Sequence, residues 1–254
     1  MLKTLDQSLK VLMAFTKDRP TWGARELAKE LDLNATNVYR ILATFEENRF
    51  LSKDPVTKKY SLGIKLWELG LLVHDNHGIS EFIKPILEDL MEKTGESVFL
   101  TVLDGNEALT LDVVEPQDKV KFSVTIGSRA PLYVGASYRS ILAFMPDEEI
   151  NKIISGGLKA YTSSTIVDRE QLRAELELIK EQGWARSEGE FTKDVIAIAV
   201  PLFYKDEVKA SLTVSGPTYR ITEEAIQYIL IHIKEASAEI MKLMEKYQFA
   251  LNKY

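Results

Sequence analysis

Thr36, Asn37, Tyr39, Arg40 and Thr44 lie between the apolar residues Val38, Ile41, Leu42 and Phe45. The apolar set follows the i, i+3, i+4, i+7 rhythm of one helix face, so the polar set shares the other. That face begins at Asn34 and Ala35 and carries no acid before Glu46-Glu47. A merely solvated helix face would carry several Glu and Lys. Short hydrogen-bonding side chains near a helix N-terminus are what a groove-reading helix uses on base edges. Arg25, Arg49, Lys53, Lys58 and Lys59 are nearby cations of the kind that meet phosphates. Two other clusters are weaker. Ser187-Glu188-Gly189-Glu190 sets two carboxylates close together, but on a loop such a pair is ordinarily solvated. His74-Asp75-Asn76-His77 has ligand-like spacing, yet the only other histidine is His232 and there is no cysteine. A zinc site takes three or four protein ligands, so no metal centre is expected. There is no nucleophile-elbow serine, phosphate loop or zinc-binding helix motif. No enzymatic activity and no cofactor are expected.

The elements that must hold the polar face can be read around it. Leu5, Leu9, Leu12 and Phe15 recur at helical spacing and predict a first helix over 5–16, broken by Asp18-Arg19-Pro20. A second helix is expected from Thr21-Trp22-Gly23 through Leu31, with Ala24, Leu27, Ala28 and Leu31 inside. Asn34 is a good N-cap for the third, and Asn48 a candidate left-handed residue at its end. Residues 50–53 and 59–62 then read as two short strands around the turn Asp54-Pro55-Val56-Thr57-Lys58. Three helices and a hairpin in this order predict a winged helix-turn-helix. Residues 64–73 form a helix apolar on most sides, which must be covered all round. His74–Gly78 is expected to break it as a loop.

Length and charge agree with two parts. A chain of 254 residues makes one large domain or two modest ones. With 45% hydrophobic and 28% charged residues it is neither disordered nor collagen-like. No apolar run reaches a membrane span, and the first residues lack a signal-peptide layout. A cytoplasmic location is expected, consistent with the absence of cysteine. The net charge of −6 conceals an asymmetry. Residues 1–70 carry 12 Lys and Arg against 9 Asp and Glu, a net +3, and the remainder carries −9.

The second part predicts an α+β domain with a mostly antiparallel sheet. A helix is expected over 80–93, strands over 97–103 and 107–114 about the turn Asp104-Gly105-Asn106, and a further strand over 120–125. Gly127–Pro131 reads as a loop and Ala136–Phe144 as a helix. Helices over 147–155 and 168–182 follow, then strands at 185–186, 197–202 and 207–215 and a long helix capped by Thr222.

The stretch Arg25-Glu26-Leu27-Ala28 through Asn34-Ala35-Thr36-Asn37-Val38-Tyr39-Arg40-Ile41-Leu42 resembles the N-terminal domain of the IclR family of bacterial transcription regulators. Tyr60-Ser61-Leu62-Gly63 resembles that family's wing end, Gly127–Leu132 with Ile141–Ala143 and Ala210–Pro217 its effector-binding half. The resemblance implies residues 1–62 as a DNA-binding winged helix-turn-helix, 63–77 as a linker helix contributing to a dimer, and 78–254 as a GAF-like effector domain. It places Thr36, Asn37, Tyr39 and Arg40 on DNA, and an effector pocket on Ala136, Ser137, Ser187, Val195, Ala197, Thr213 and Ser215. Asn34 and Ala35 depart from the Pro and Lys common in the family. Tyr133, Tyr138, Arg139 and Ala197 stand where many members have His, Gly, Lys and a polar or sulfur residue. The expected partners are double-stranded DNA with an inverted-repeat operator, a small-molecule effector of the organic-acid class, and further copies of the chain in a homodimer or homotetramer. No membrane partner is expected. Each pocket hydroxyl, taken singly, reads better as a strand-end or cap hydroxyl satisfied locally, and only the set together favours a pocket. The alternative for the head is docking of a protein instead of DNA, and a third reading is an enzyme with a regulatory head.

Overall fold

A computed structural model describes residues 2–16, 18–75, 79–117 and 124–247, with the side chains of 71–75 and 79–80 left aside. The chain divides into two compact units, Met1–Gly78 and Ile79–Tyr254.

The first unit comprises α1 (Lys3–Met13), β1 (Thr21–Trp22), α2 (Ala24–Glu30), α3 (Ala35–Glu47), β2 (Leu51–Lys53), β3 (Tyr60–Leu62) and α4 (Ile64–Asp75). Val11, Phe15, Trp22, Leu27, Val38, Leu42, Leu51 and Tyr60 form its core. Thr21-Trp22 was expected to open the second helix. It is instead a strand, paired antiparallel to Ser61 and Tyr60 of β3, so the wing sheet has the order β1-β3-β2. Tertiary contacts override local pattern here. The Trp22 ring is buried, its Nε1–H donates to the Ala14 carbonyl at 2.8 Å, and the Arg19 guanidinium lies 3.5 Å from the ring centre. The stripe expected on α1 is also corrected. Val11 and Phe15 face the core, whereas Leu5 and Leu9 are exposed together with Leu2 and Met13. At the end of α3, Asn48 keeps a right-handed backbone, and Arg49 takes the left-handed one with φ +63°. His74 and Asp75 still belong to α4; His77 lies outside the described residues.

The second unit comprises α5 (Ile79–Thr94), β4 (Ser97–Asp104), β5 (Glu107–Val114), β6 (Arg129–Pro131), α6 (Ala136–Leu142), α7 (Asp147–Ser155), α8 (Arg169–Gln182), β7 (Ala185–Glu188), β8 (Val195–Tyr204), β9 (Glu207–Pro217) and α9 (Glu223–Lys246). The described strands form one antiparallel sheet in the order β6-β5-β4-β9-β8-β7. Its two faces follow from the period of two along each strand. Val98, Leu100, Val102, Leu212 and Val214 meet α5 and α9 in one core. The other face packs Ala199 and Ala108 with α6, α7 and α8. Arg129–Pro131, expected as loop, is strand β6, paired with Glu107–Leu109. The expected strand at 120–125 falls mostly outside the described residues, and Val124 and Thr125 are in no strand. Asp168 and Thr222 cap α8 and α9 through their side chains.

Candidate functional site

Two surfaces carry the candidate residues, one in each unit. In the first, Asn34, Ala35, Thr36, Asn37, Tyr39, Arg40 and Thr44 are all exposed on α3, while Val38, Ile41 and Leu42 are buried beneath them. The cap uses up part of this set. Asn34 Oδ1 accepts from the N–H groups of Thr36 at 2.9 Å and Asn37 at 3.3 Å, so Asn34 orders the helix start. The Thr44 hydroxyl donates to the Arg40 carbonyl at 3.0 Å. The side chains of Thr36, Asn37, Tyr39 and Arg40 remain outward, and Arg25 and Arg40 form no ion pair among the described residues.

The wing is ordered by its own turn. Asp54 Oδ1 accepts from the Val56 N–H at 2.9 Å and from the Thr57 hydroxyl at 2.8 Å, as well as from the Thr57 N–H. These donors, Thr57 first, hold the Asp54 carboxyl below the usual aspartate range. Lys53 Nζ lies 5.0 Å from the Tyr60 ring centre and 5.9 Å from that of Tyr39. The hydrogen bond with Tyr60 raises Lys53 above the ordinary lysine range. Lys58 is exposed on the turn. Lys59 Nζ lies 3.9 Å from Glu26 Oε2, so its charge is partly matched within the unit. Glu26 is held below the usual range chiefly by its hydrogen bond from Arg19.

The second surface is a cavity of about 270 Å³ between the start of α6 and the sheet. Ala136, Ser137, Ser187, Val195, Ala197 and Ser215 line it together with Phe99, Ser128, Arg129, Gly135, Tyr138, Glu190 and Phe191. Thr213 does not line it. It points to the same sheet face but is fully buried one step away, with its hydroxyl unpaired among the described residues. Two expected ligand hydroxyls are spent on the fold. Ser137 Oγ donates to Thr101 Oγ1 at 2.9 Å and shares a hydrogen bond with Ser211 Oγ at 3.1 Å, pinning α6 to β4 and β9. Ser215 Oγ donates to the Ile196 carbonyl at 2.9 Å. Ser187 Oγ has no such partner among the described residues. Burial pushes the Tyr138 phenol up, with the Thr110 hydroxyl opposing.

The acidic pair expected on a solvated loop divides differently. Glu188 ends β7 and is exposed, whereas Glu190 is only 7% exposed. Glu190 grips the guanidinium of Arg139 in a two-toothed ion pair, with Arg139 Nη2 donating to Oε1 at 2.8 Å and Nη1 to Oε2. Arg139 is 1% exposed, does not line the cavity, and also donates to the Arg186 carbonyl at 2.8 Å. Tyr133 stands behind the wall, its hydroxyl donating to the Lys159 carbonyl at 3.1 Å. Sequence reasoning missed Glu190, Arg129 and Phe99 as wall residues. For Phe99 the signal was present, since it alternates with the core residues Val98 and Leu100.

Two family models match the chain. Residues 4–55 match the model of the IclR helix-turn-helix domain, and residues 72–242 match that of the bacterial transcriptional regulator IclR C-terminal domain. The chain belongs to the IclR family. This IclR-family regulator is 35% identical over 242 residues to the HTH-type transcriptional regulator KipR of Bacillus subtilis, covering 94% of this chain and 96% of KipR. The crystal structure of an IclR-type regulator from Alicyclobacillus acidocaldarius aligns with a TM-score of 0.86 at 28% identity, covering 95% of this chain and 98% of that one. An IclR homologue from Microbacterium hydrocarbonoxydans, crystallised with 4-hydroxybenzoate, aligns at 0.84 and 23% identity, covering 96% and 100%. The last likeness is one of fold. Among the described residues no helix is long and apolar enough to cross a membrane, and no group of three or more metal-ligating side chains gathers.

Proposed function

We propose that this IclR-family regulator binds an inverted-repeat operator through α3 and the wing, and that a small organic acid in the cavity of the second unit modulates that affinity. The observation that carries the reading is the α3 face itself. Its cap is satisfied inward while Thr36, Asn37, Tyr39 and Arg40 stay outward, beside a wing bearing Lys53 and Lys58. Arg25, Arg40 and the wing lysines supply the phosphate contacts, and Thr36, Asn37 and Tyr39 the base contacts. Residues 1–62 serve as the DNA-binding head, 63–77 as the linker and 78–254 as the effector domain. A net surplus of only +3 in residues 1–70 makes a single head a weak binder, so two heads on successive major grooves about 34 Å apart provide the affinity.

Self-association into a dimer or tetramer has support of its own. Leu2, Leu5, Leu9 and Met13 form an exposed apolar stripe on α1, and Ile64 and Trp67 are exposed on α4, Trp67 by 65%. Exposed apolar stripes of this kind mark association surfaces. The regulator acts where the DNA is, in the cytoplasm, and effector binding works by favouring one of two conformations of the assembly. The test is a gel shift on duplex fragments from around the chain's own gene. Arg40→Ala should weaken binding at least about tenfold, the worth of one good base or phosphate contact. Unchanged affinity removes Arg40 from the interface.

A further inference from the structure

One corner of the cavity is chemically specific. Gly135, Ser187 and Glu190 all line it. Gly135 has φ +81°, and a Cβ placed there would stand 3.8 Å from Ser187 Oγ, so the glycine leaves the corner open. Ser187 is 8% exposed, faces the cavity beside Ala197 across the β7–β8 pair, and has no hydrogen-bond partner among the described residues. The hydroxyl opens onto the cavity and is not sealed within the wall, so it can hydrogen-bond a molecule that enters.

Glu190 supplies the complementary half. Its carboxylate offers about four lone-pair positions. Oε2 accepts from Arg139 Nη1 and from the Gly135 N–H at 3.3 Å, while Oε1 accepts from Arg139 Nη2 at 2.8 Å. One acceptor position on Oε1 is left over. The group cannot swing away to accommodate another anion. Its backbone carbonyl is held by the Thr165 hydroxyl at 2.7 Å and the Thr162 hydroxyl at 3.2 Å, and moving the carboxylate would strand a buried guanidinium. Arg139 cannot offset a second anion either, because Glu175 Oε1 already lies 3.5 Å from its Nη2, giving two carboxylates to one guanidinium. The cavity's cationic wall residue is Arg129, itself paired to Asp104 and Glu107 yet with N–H donors remaining.

We infer that Glu190 and Ser187 together select the effector by an uncharged group that both donates and accepts a hydrogen bond, a hydroxyl or an amide, and that Glu190 rejects a carboxylate in that corner. This rests on the reading of the cavity as the effector site. The effector class is thus a small acid with one carboxylate and, elsewhere on the molecule, a hydroxyl or amide. Diacids are excluded. A site built to hydrogen-bond such a group discriminates strongly against ligands lacking it.

The test is calorimetric titration of the full chain with benzoate, 4-hydroxybenzoate and terephthalate, three rings suited to a cavity walled by Phe99, Tyr138 and Phe191. The inference expects 4-hydroxybenzoate to bind at least about tenfold tighter than benzoate, the worth of a hydrogen bond to a charged group, with terephthalate weakest. Ser187→Ala should shrink the advantage of 4-hydroxybenzoate over benzoate. Glu190→Gln should lower the ratio of the terephthalate Kd to the 4-hydroxybenzoate Kd about tenfold, a change that a purely structural role would not produce. Equal binding of benzoate and 4-hydroxybenzoate, or an unchanged ratio in Glu190→Gln, overturns the inference and leaves the effector reading standing. If none of the three binds the folded protein, the organic-acid reading of the cavity falls, and this inference with it. Should Glu190→Gln fail to fold, the Ser187→Ala comparison decides alone.

Discussion

Gly63→Ala gives the sharpest structural test, because the atoms it would strike are all backbone. A Cβ at Gly63 would lie 2.2 Å from the Arg49 carbonyl oxygen and 2.8 Å from the Phe50 carbonyl carbon. Arg49 is already left-handed and cannot easily rotate away. Two hydrogen bonds cross the same contact, Gly63 N–H to the Phe50 carbonyl at 2.7 Å and Lys65 N–H to the Arg49 carbonyl at 3.1 Å. They splice the first turn of α4 to the end of α3. Overpacking of this kind costs about 1–3 kcal/mol. Losing the two bonds adds about 1 kcal/mol each. The sum, about 3–5 kcal/mol, is a large fraction of the roughly 4–12 kcal/mol expected for a unit of this size. Its melting transition should therefore fall by about 10 °C or more. Trp22 and Trp67 lie in this unit and Trp184 in the other, so tryptophan fluorescence alongside calorimetry reports which transition moves. Gly70→Ala is the control, since a Cβ there meets nothing within 4 Å. It should be neutral or stabilising by up to about 1 kcal/mol. A Gly63→Ala shift smaller than about 2 °C would refute the splice.

Two further outcomes follow from the charged groups. Arg139→Met leaves the Glu190 carboxylate buried without its partner and should cost about 3–5 kcal/mol, much of it recovered when Glu190→Leu is added, as read by denaturant unfolding of the second unit. At the wing, the Asp54 carboxyl is depressed from 3.8 by the Thr57 and Val56 donors. A depressed carboxylate contributes order that is fully present above its unfolded value and lost as pH falls through the lower folded one. The Thr57 amide resonance should therefore titrate with a midpoint below 3.8, and a midpoint at or above it would show that the turn is not held this way.

The parts that were legible in the sequence are those where local pattern and tertiary demand agree. Asn34 caps α3 through its side chain, and Val38, Ile41 and Leu42 lie on one buried face, both read directly from residue type and spacing. Trp22 shows where pattern misleads. By pattern it reads as a helix start, yet its indole N–H donates to the Ala14 carbonyl and its ring packs under Arg19, contacts that periodicity does not register. Leu5 and Leu9 match a helical stripe but turn outward, and spacing alone does not say which face of a helix packs on the chain's own core. In the cavity, hydroxyl types could be seen but not their partners. Ser137 and Ser215 are consumed by Thr101, Ser211 and Ile196, contacts that depend on sheet register. Glu190 was invisible as a buried group because Arg139, 51 residues away, is what makes its burial affordable.

The most direct measurement of the central claim is the salt dependence of duplex DNA binding, followed by fluorescence anisotropy between 50 and 200 mM salt. If two heads each neutralise at least two phosphates, log affinity should fall against log salt with a slope of about −3.6 or steeper. Arg40→Ala should make that slope shallower by about 1 for each phosphate contact it removes. An affinity that is flat over this range, or that Arg40→Ala leaves with the same slope and strength, would contradict the assignment of α3 and the wing as the DNA-binding surface.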